Sequence, residues 1–228
     1  MPEEWDLYRA AISGARERGI PFAVGGGLAA MTYASQWRNT KDLDFYTLHC
    51  DRERIIELLA ELGLSDYYEV APYDRKWIYR AHRGDVIIDV IWAMANQRAQ
   101  VDENWLRGPE VEAGGQRFRL LAPEEAVWSK LYVLQHDRCD WPDCLNVLYG
   151  VGPELEWGRL ISNAGADLPL LGGLLSAFVW LAPERAREFP AHIWKEFGLQ
   201  APPAPDGPEV MRERAALLDS RPWFTPCK

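Results

Sequence analysis

Asp42 and Asp44 stand two residues apart in the run Asp42-Leu43-Asp44-Phe45-Tyr46. In a strand, alternate side chains share a face, so both carboxylates project together while Leu43 and Phe45 turn toward a core. Paired like charges repel unless a cation lies between them. Magnesium suits that task, because it takes carboxylate oxygens together with substrate phosphates. Just upstream, Phe22-Ala23-Val24 runs into Gly25, Gly26 and Gly27, ahead of Leu28-Ala29-Ala30. Glycines at a strand-to-helix junction let the backbone approach a ligand closely, and a helix start presents unpaired N–H groups to phosphate oxygens. A third acid, Asp89, interrupts the apolar run Val86-Ile87-Ile88-Asp89-Val90-Ile91. Buried alone it would be costly, which calls for a metal or for an arginine such as Arg80 or Arg98. Taken with the Asp42/Asp44 pair, the metal reading is the stronger one.

Other chemistries fit less well. Gly25, Gly27 and Ala30 satisfy the G-x-G-x-x-A spacing of a dinucleotide-binding turn, with Asp44 about 20 residues on. That acid should close an apolar strand, yet Trp37-Arg38-Asn39-Thr40-Lys41 precede it, and alternating strand–helix units are missing downstream. No G-x-S-x-G elbow or Walker lysine motif occurs, so serine-hydrolase and P-loop classes find no support. His49, His82, His136 and His192 are scattered without zinc spacing. Cys50, Cys139, Cys144 and Cys227 read as free thiols in a reducing cytosol. With 25 Lys+Arg against 34 Asp+Glu, the formal charge of −9 argues against broad DNA binding, which needs a basic face. The charged amphipathic N-terminus has no signal-peptide core. The apolar run Leu168–Ala182, about 15 residues, is shorter than the roughly 20 that a bilayer span needs. A cytoplasmic protein with no membrane partner is expected.

The elements that must position these residues follow from periodicity. Apolar spacing predicts helices over 3–19, 28–35 and 54–62, and strands over 21–24, 43–46, 76–81 and 86–92. Arg83-Gly84-Asp85 joins the last two strands as a hairpin, and a second hairpin surrounds Gly114-Gly115. After Pro123 the texture becomes helical, with helices over 123–137, 140–149, 155–163, 168–181 and 183–198. The run 201–208 carries four prolines and reads as a stiff connector before one more helix over 208–219. The expected division is a catalytic domain over 1–120, a helical domain over 121–200, and a Pro-rich connector and tail over 201–228.

These residues resemble the nucleotidyltransferase superfamily of the polymerase-beta type. Its signature is an apolar strand, Gly-Gly or Gly-Ser opening a helix, D-x-D on the next strand and a third acid on a later one. Gly26-Gly27, Asp42-x-Asp44 and Asp89 stand at those positions. Gly26-Gly27-Leu28-Ala29 and Arg38-Asn39-Thr40-Lys41-Asp42-Leu43-Asp44 are similar to the GGLA and R-x-T-x-D-hydrophobic-D patterns of uncharacterised bacterial nucleotidyltransferases and of the AbiEii-like toxin branch. Lys130 followed by Arg138-Cys139-Asp140-Trp141-Pro142-Asp143 resembles that branch's lysine helix and R-x-D-x-x-D.

The resemblance implies an α/β (α+β) fold, with a mixed sheet flanked by helices and a C-terminal helical domain. It implies transfer of an NMP group from an NTP to an acceptor hydroxyl on a small molecule or on RNA such as tRNA, with two Mg²⁺ (or Mn²⁺) ions as cofactors. Asp42 and Asp44 would bridge the metals, and Asp89 would bind the metal beside the attacking hydroxyl and take its proton. Gly25, Gly26 and Gly27 would hold the phosphates, the triplet leaving the register open by one residue. Arg38 and Lys130 would neutralise triphosphate charge. A solvated helix face is the competing reading for Lys130, and an interhelical salt-bridge network for Arg138, Asp140 and Asp143. Trp92 and Trp128 are candidates for lining an acceptor pocket. The alternative function is a non-catalytic nucleotide-binding or protein-interaction module on the same fold.

Overall fold

The hairpin at Gly84 sets the centre of the sheet. Gly84 has a positive φ of 59°, which a tight two-residue turn demands and glycine adopts without strain. It joins strands β4 (Ile78–Arg83) and β5 (Val86–Ile91) in antiparallel register. The computed structural model describes residues 2–35, 42–203 and 207–218. Strands β1 (Phe22–Val24), β2 (Asp42–Thr47) and β3 (Ser65–Asp66) complete a five-stranded sheet in the order β1-β2-β5-β4-β3. The β2–β5 pairing is parallel and the other three are antiparallel, so the sheet is mixed. The Gly114-Gly115 turn closes the second hairpin, β6 (Glu110–Ala113) with β7 (Gln116–Arg119).

Helices α1 (Pro2–Glu17) and α3 (Arg52–Glu61) pack on each other, and α3 lies on β4 and β5. Gly14 makes their close approach: a Cβ there would come within 2.7 Å of Leu58 Cδ1. Ile12, Ala15, Ile55 and Leu59 join Leu43, Phe45, Ala81, Ile88 and Val90 in one buried layer. Each large aliphatic or aromatic side chain there contributes roughly 1.5–3 kcal/mol on burial. The opposite alternation of β2 and β5 therefore leaves the aspartates on the other face of the sheet. Helix α2 (Gly26–Tyr33) follows β1.

The second set of helices is α4 (Pro123–Leu131), α5 (Trp141–Val151), α6 (Trp157–Ala164), α7 (Leu168–Leu181), α8 (Pro183–Ala186), α9 (Ala191–Glu196) and α10 (Pro208–Leu218). Two compact units result: described residues up to 29 with 42–122, and residues 30–35 with those from 123 onward. In the second unit α4 packs against α5, α6 and α7, and Phe189 meets Trp157, Phe178 and Trp194 ring to ring. The single helix expected over 183–198 is two, because Pro190 lacks the N–H a continuing helix needs and biases the residue before it to extended backbone. The helix expected over 123–137 stops at Leu131, where the chain doubles back and Asp140 N–H donates to Val133 O at 2.9 Å. The run Trp157–Leu181 is long and apolar enough by composition to cross a membrane. Its Leu171, Leu174, Leu175, Phe178 and Leu181 are wholly buried in this unit, the use a core helix makes of such residues.

Candidate active site

Strand pairing brings the three aspartates together. In β2, Leu43 and Phe45 are buried while Asp42 and Asp44 on the other face are half-buried. The parallel register sets Asp44 opposite Asp89, and the antiparallel one sets Arg80 opposite Asp89. Asp44, Asp89 and Arg80 thus form a row across three adjacent strands, with Asp42 one pleat along. One carboxylate oxygen from each of Asp42, Asp44 and Asp89 lies within 4.8 Å of the others. Among the described residues this is the acid cluster suited to a metal ion.

The glycine turn is fitted to this cluster. Gly25 N–H donates to the Asp44 carbonyl at 2.9 Å, and the Gly25 carbonyl accepts from Ala29 N–H at 3.1 Å, which starts α2. A Cβ on Gly25 would strike the Tyr46 ring at 2.2 Å. Gly26 has φ +57°, and a Cβ there would fall 1.6 Å from Asp44 Oδ2. Any side chain at Gly26 would therefore occupy the place of the Asp44 carboxylate. Gly27 follows in the first turn of α2, whose N–H groups have no intrahelical acceptor and sit at the positive end of the helix dipole.

Asp89 is 2% exposed, and Arg80 binds both of its oxygens, Nε to Oδ1 at 2.8 Å and Nη2 to Oδ2 at 2.6 Å. Bonding to Asp89 raises the Arg80 pKa against the opposing effect of burial, with Asp42 and Asp44 adding at longer range. The sequence set arginine pairing and metal ligation against each other for Asp89; the arginine partner is Arg80, and its bonds leave lone pairs on both carboxylate oxygens. A carboxylate has about four lone-pair sites, and a bidentate arginine uses two. The donor set, three convergent oxygens and no sulfur or imidazole, fits a hard divalent cation such as Mg²⁺ or Mn²⁺.

Arg38 falls outside the described residues. Lys130 belongs to the second unit, where its Nζ bridges Asp140 at 2.8 Å and Asp143 at 2.9 Å with 12% of the side chain exposed. Burial lowers its pKa, but Asp143 and Asp140 raise it by more, so the net shift is upward. The solvated helix face considered for Lys130 is thereby corrected, and Arg138 joins the network through Asp140 at 2.9 Å. Trp92 lines a surface cavity in the first unit, whereas Trp128 is buried in the second. Sequence reasoning named Arg80 only as one of two partners. The hairpin turn at Gly84-Asp85 could have singled it out, since counting outward from Arg83 and Val86 brings Arg80 to Asp89. Buried Glu124 and Glu125 with Arg159 went unnoticed, because acids in the first turn of a helix read as solvated.

A family model described as "Uncharacterised nucleotidyltransferase" matches residues 11–164. No curated protein sequence matches the chain. Among solved structures, the antibiotic-resistance factor ANT(2'')-Ia is 21% identical with a TM-score of 0.47, over 78% of this chain and 91% of its own. An antigenic nucleotidyltransferase-like protein from Paracoccidioides brasiliensis is 17% identical with a TM-score of 0.44, over 76% and 93%. JHP933 from Helicobacter pylori is 14% identical with a TM-score of 0.40, over 94% and 93%.

Proposed function

The chain belongs to this nucleotidyltransferase family, and from that membership we propose that it moves an NMP group from an NTP to an acceptor hydroxyl in a metal-dependent reaction. The observation that carries the reading is the convergence of Asp42, Asp44 and Asp89 oxygens within 4.8 Å beside a glycine turn shaped around Asp44. Asp42 and Asp44 would hold divalent cations, two Mg²⁺ or Mn²⁺, with Asp89 as the third ligand. Such ions, when bound, neutralise the triphosphate and favour in-line displacement at its α-phosphorus.

The chain's own residues then divide the work. Gly25, Gly26 and Gly27 bring first-turn N–H groups of α2 to the phosphates, and Arg38 adds charge there. Asp89 aligns the acceptor hydroxyl, whose oxygen bonds to the α-phosphorus as the bond to the β-phosphate oxygen breaks. The hydroxyl proton passes to the Asp89 carboxylate and pyrophosphate leaves. Arg80 holds Asp89 in one orientation. Lys130 is left out of this nucleotide site, because its charge is committed to Asp140 and Asp143.

The acceptor is a small molecule or an RNA. The charge of −9 favours the small molecule, while the likeness of Gly26–Ala29 and Arg38–Asp44 to the AbiEii-like branch keeps tRNA as the other arm. The setting proposed for the reaction is the cytoplasm. One observation favours the second reading, a non-catalytic nucleotide-binding or protein-interaction module: both Asp89 oxygens are already bonded to Arg80. Incubation with each α-labelled NTP, Mg²⁺ or Mn²⁺, and separated tRNA, protein and metabolite pools decides. Label should enter one pool with the native chain and none with Asp44→Asn. Metal-dependent NTP binding without label in any pool would establish the non-catalytic reading instead.

A further inference from the structure

We propose that the cavity where β4 begins and β5 ends is a second, anion-binding site that takes a phosphate ester independently of the aspartate cluster. The cavity has a volume of about 430 Å³, within the range of pockets that hold small organic ligands. Trp92, on its wall, stands just past the end of β5, and Tyr79, also on the wall, pairs with Val90, whose side of the strand alternates with that of Asp89.

Its lining is basic in a chain that is acidic overall. Arg52, Arg75 and Lys76 face it against two acids, Glu53 and Asp66. Both acids are engaged by those arginines: Arg52 Nε meets Glu53 Oε1 at 3.1 Å, and Arg75 Nη2 meets Asp66 Oδ2 at 2.5 Å. Asp66 also accepts from Tyr73 Oη at 2.8 Å and Tyr68 N–H at 2.9 Å. Lys76 is exposed, and its ammonium has no ion-pair partner among the described residues, so one positive charge is uncompensated at the rim.

The arginines are held in place before any ligand arrives. The Arg52 guanidinium lies 5.2 Å from the Trp92 ring centroid, and Arg75 lies 4.1 Å from that of Tyr68. Such stacking fixes planar donor forks that suit phosphate oxygens, and lowers the entropy lost on binding. The first turn of α3 forms another wall through Arg52, Glu53 and Ile56. The preceding Asp51 makes no side-chain cap hydrogen bond, since Arg54 holds its carboxylate at 2.7 Å. Ile56, Ile78 and Tyr79 supply an apolar side. Cations on one side and apolar surface on the other select an ester with an organic body over a bare inorganic ion.

The test is calorimetry on the full chain without divalent metal, using a nucleoside 5′-monophosphate, the matching nucleoside, and a short 5′-phosphorylated RNA. The monophosphate should bind and weaken with added salt. The nucleoside should bind about tenfold less tightly or worse, the loss expected for a charge-assisted contact. Lys76→Glu should weaken the monophosphate by a similar factor at an unchanged melting temperature, and Asp44→Asn should leave it unaltered. Tighter binding of the RNA than of the monophosphate would assign the site to a nucleic-acid phosphate, and the reverse to a free metabolite. The proposal fails if no phosphate ester binds, if Lys76→Glu has no effect, or if Asp44→Asn abolishes binding. Because the readout is binding without metal, the proposal stands or falls separately from nucleotidyl transfer.

Discussion

The sheet and the helical unit each gather several carboxylates, and they treat them in opposite ways. In the helical unit Glu124, Glu125, Asp140 and Asp143 each meet a protein donor. Glu124 takes Glu156 N–H at 2.7 Å and an ion pair with Arg159. Glu125 meets Arg159 Nε and Asn163 Nδ2, both at 3.3 Å, and Asp140 and Asp143 close on Lys130. On the sheet, by contrast, Asp42, Asp44 and Asp89 aim oxygens at one another within 4.8 Å. Acids that close on a protein cation are built for stability, whereas acids whose oxygens converge on one another raise their mutual repulsion and are relieved by a cation placed among them. The burial of Asp89 does not by itself distinguish the two regimes, for Glu124 and Glu125 are as deeply buried. The direction of the oxygens does.

The contrast can be broken most forcefully at Lys130. Lys130→Ala removes the ammonium from between Asp140 and Asp143 in a mostly buried site, and should cost about 3 kcal/mol of stability. Chemical denaturation measures it, and a change below ~0.5 kcal/mol would show this network to be merely a surface arrangement. On the sheet the effect should appear in rate. Asp89→Asn should lower turnover by a factor on the order of 10² while NTP affinity changes little. If the variant instead unfolds, Asp89 belongs with the structural acids.

Arg80 sharpens the comparison further, because its bonds to Asp89 give the sheet cluster a helical-unit character. Arg80→Gln removes a cation from beside all three aspartates, so Mg²⁺ should raise its melting temperature more than it raises the native protein's. The extra rise should be about 3 °C, the shift that ~1 kcal/mol produces in a chain of this size. An equal response in both would remove Arg80 from the metal site's electrostatics. The smallest effect concerns pH. Burial opposes ionisation of Asp140, but bonding to Arg138 and Lys130 outweighs it and lowers its pKa below the ordinary 3.8. The group therefore contributes stability that is fully present above that value and is lost as pH falls through the lowered one. Melting temperatures of Asp140→Asn should accordingly depend less on pH below 4 than those of the native chain, and parallel curves would contradict the assignment.

Much of this is legible in the sequence. The two-residue period of Asp42-Leu43-Asp44-Phe45 assigns both acids to one face by backbone geometry alone, and β2 keeps that alternation. The Gly84 hairpin and the Gly114-Gly115 hairpin were readable from turn chemistry, and both form. Local rules also located the turn at Gly25–Gly27. They did not reveal why Gly26 admits no side chain, since the obstacle is the Asp44 carboxylate from a neighbouring strand.

What the sequence determined by itself is therefore what depends on near neighbours: which acids share a face, where glycine must turn the chain, which runs are strands, and the motif that marks the family. What only the tertiary structure decided is which distant residues share a point in space. The parallel β2–β5 register places Asp89 beside Asp44, and nothing local to either strand dictates that pairing. Lys130 reads in the sequence as a cation for the triphosphate or as a solvated helix lysine, and the chain beyond Leu131 doubles back to bring Asp140 and Asp143 onto it. The reason is common to both. Periodicity and turn preference act through adjacent backbone atoms, whereas a charge acquires its role from the groups that long-range packing delivers to within a few ångströms of it.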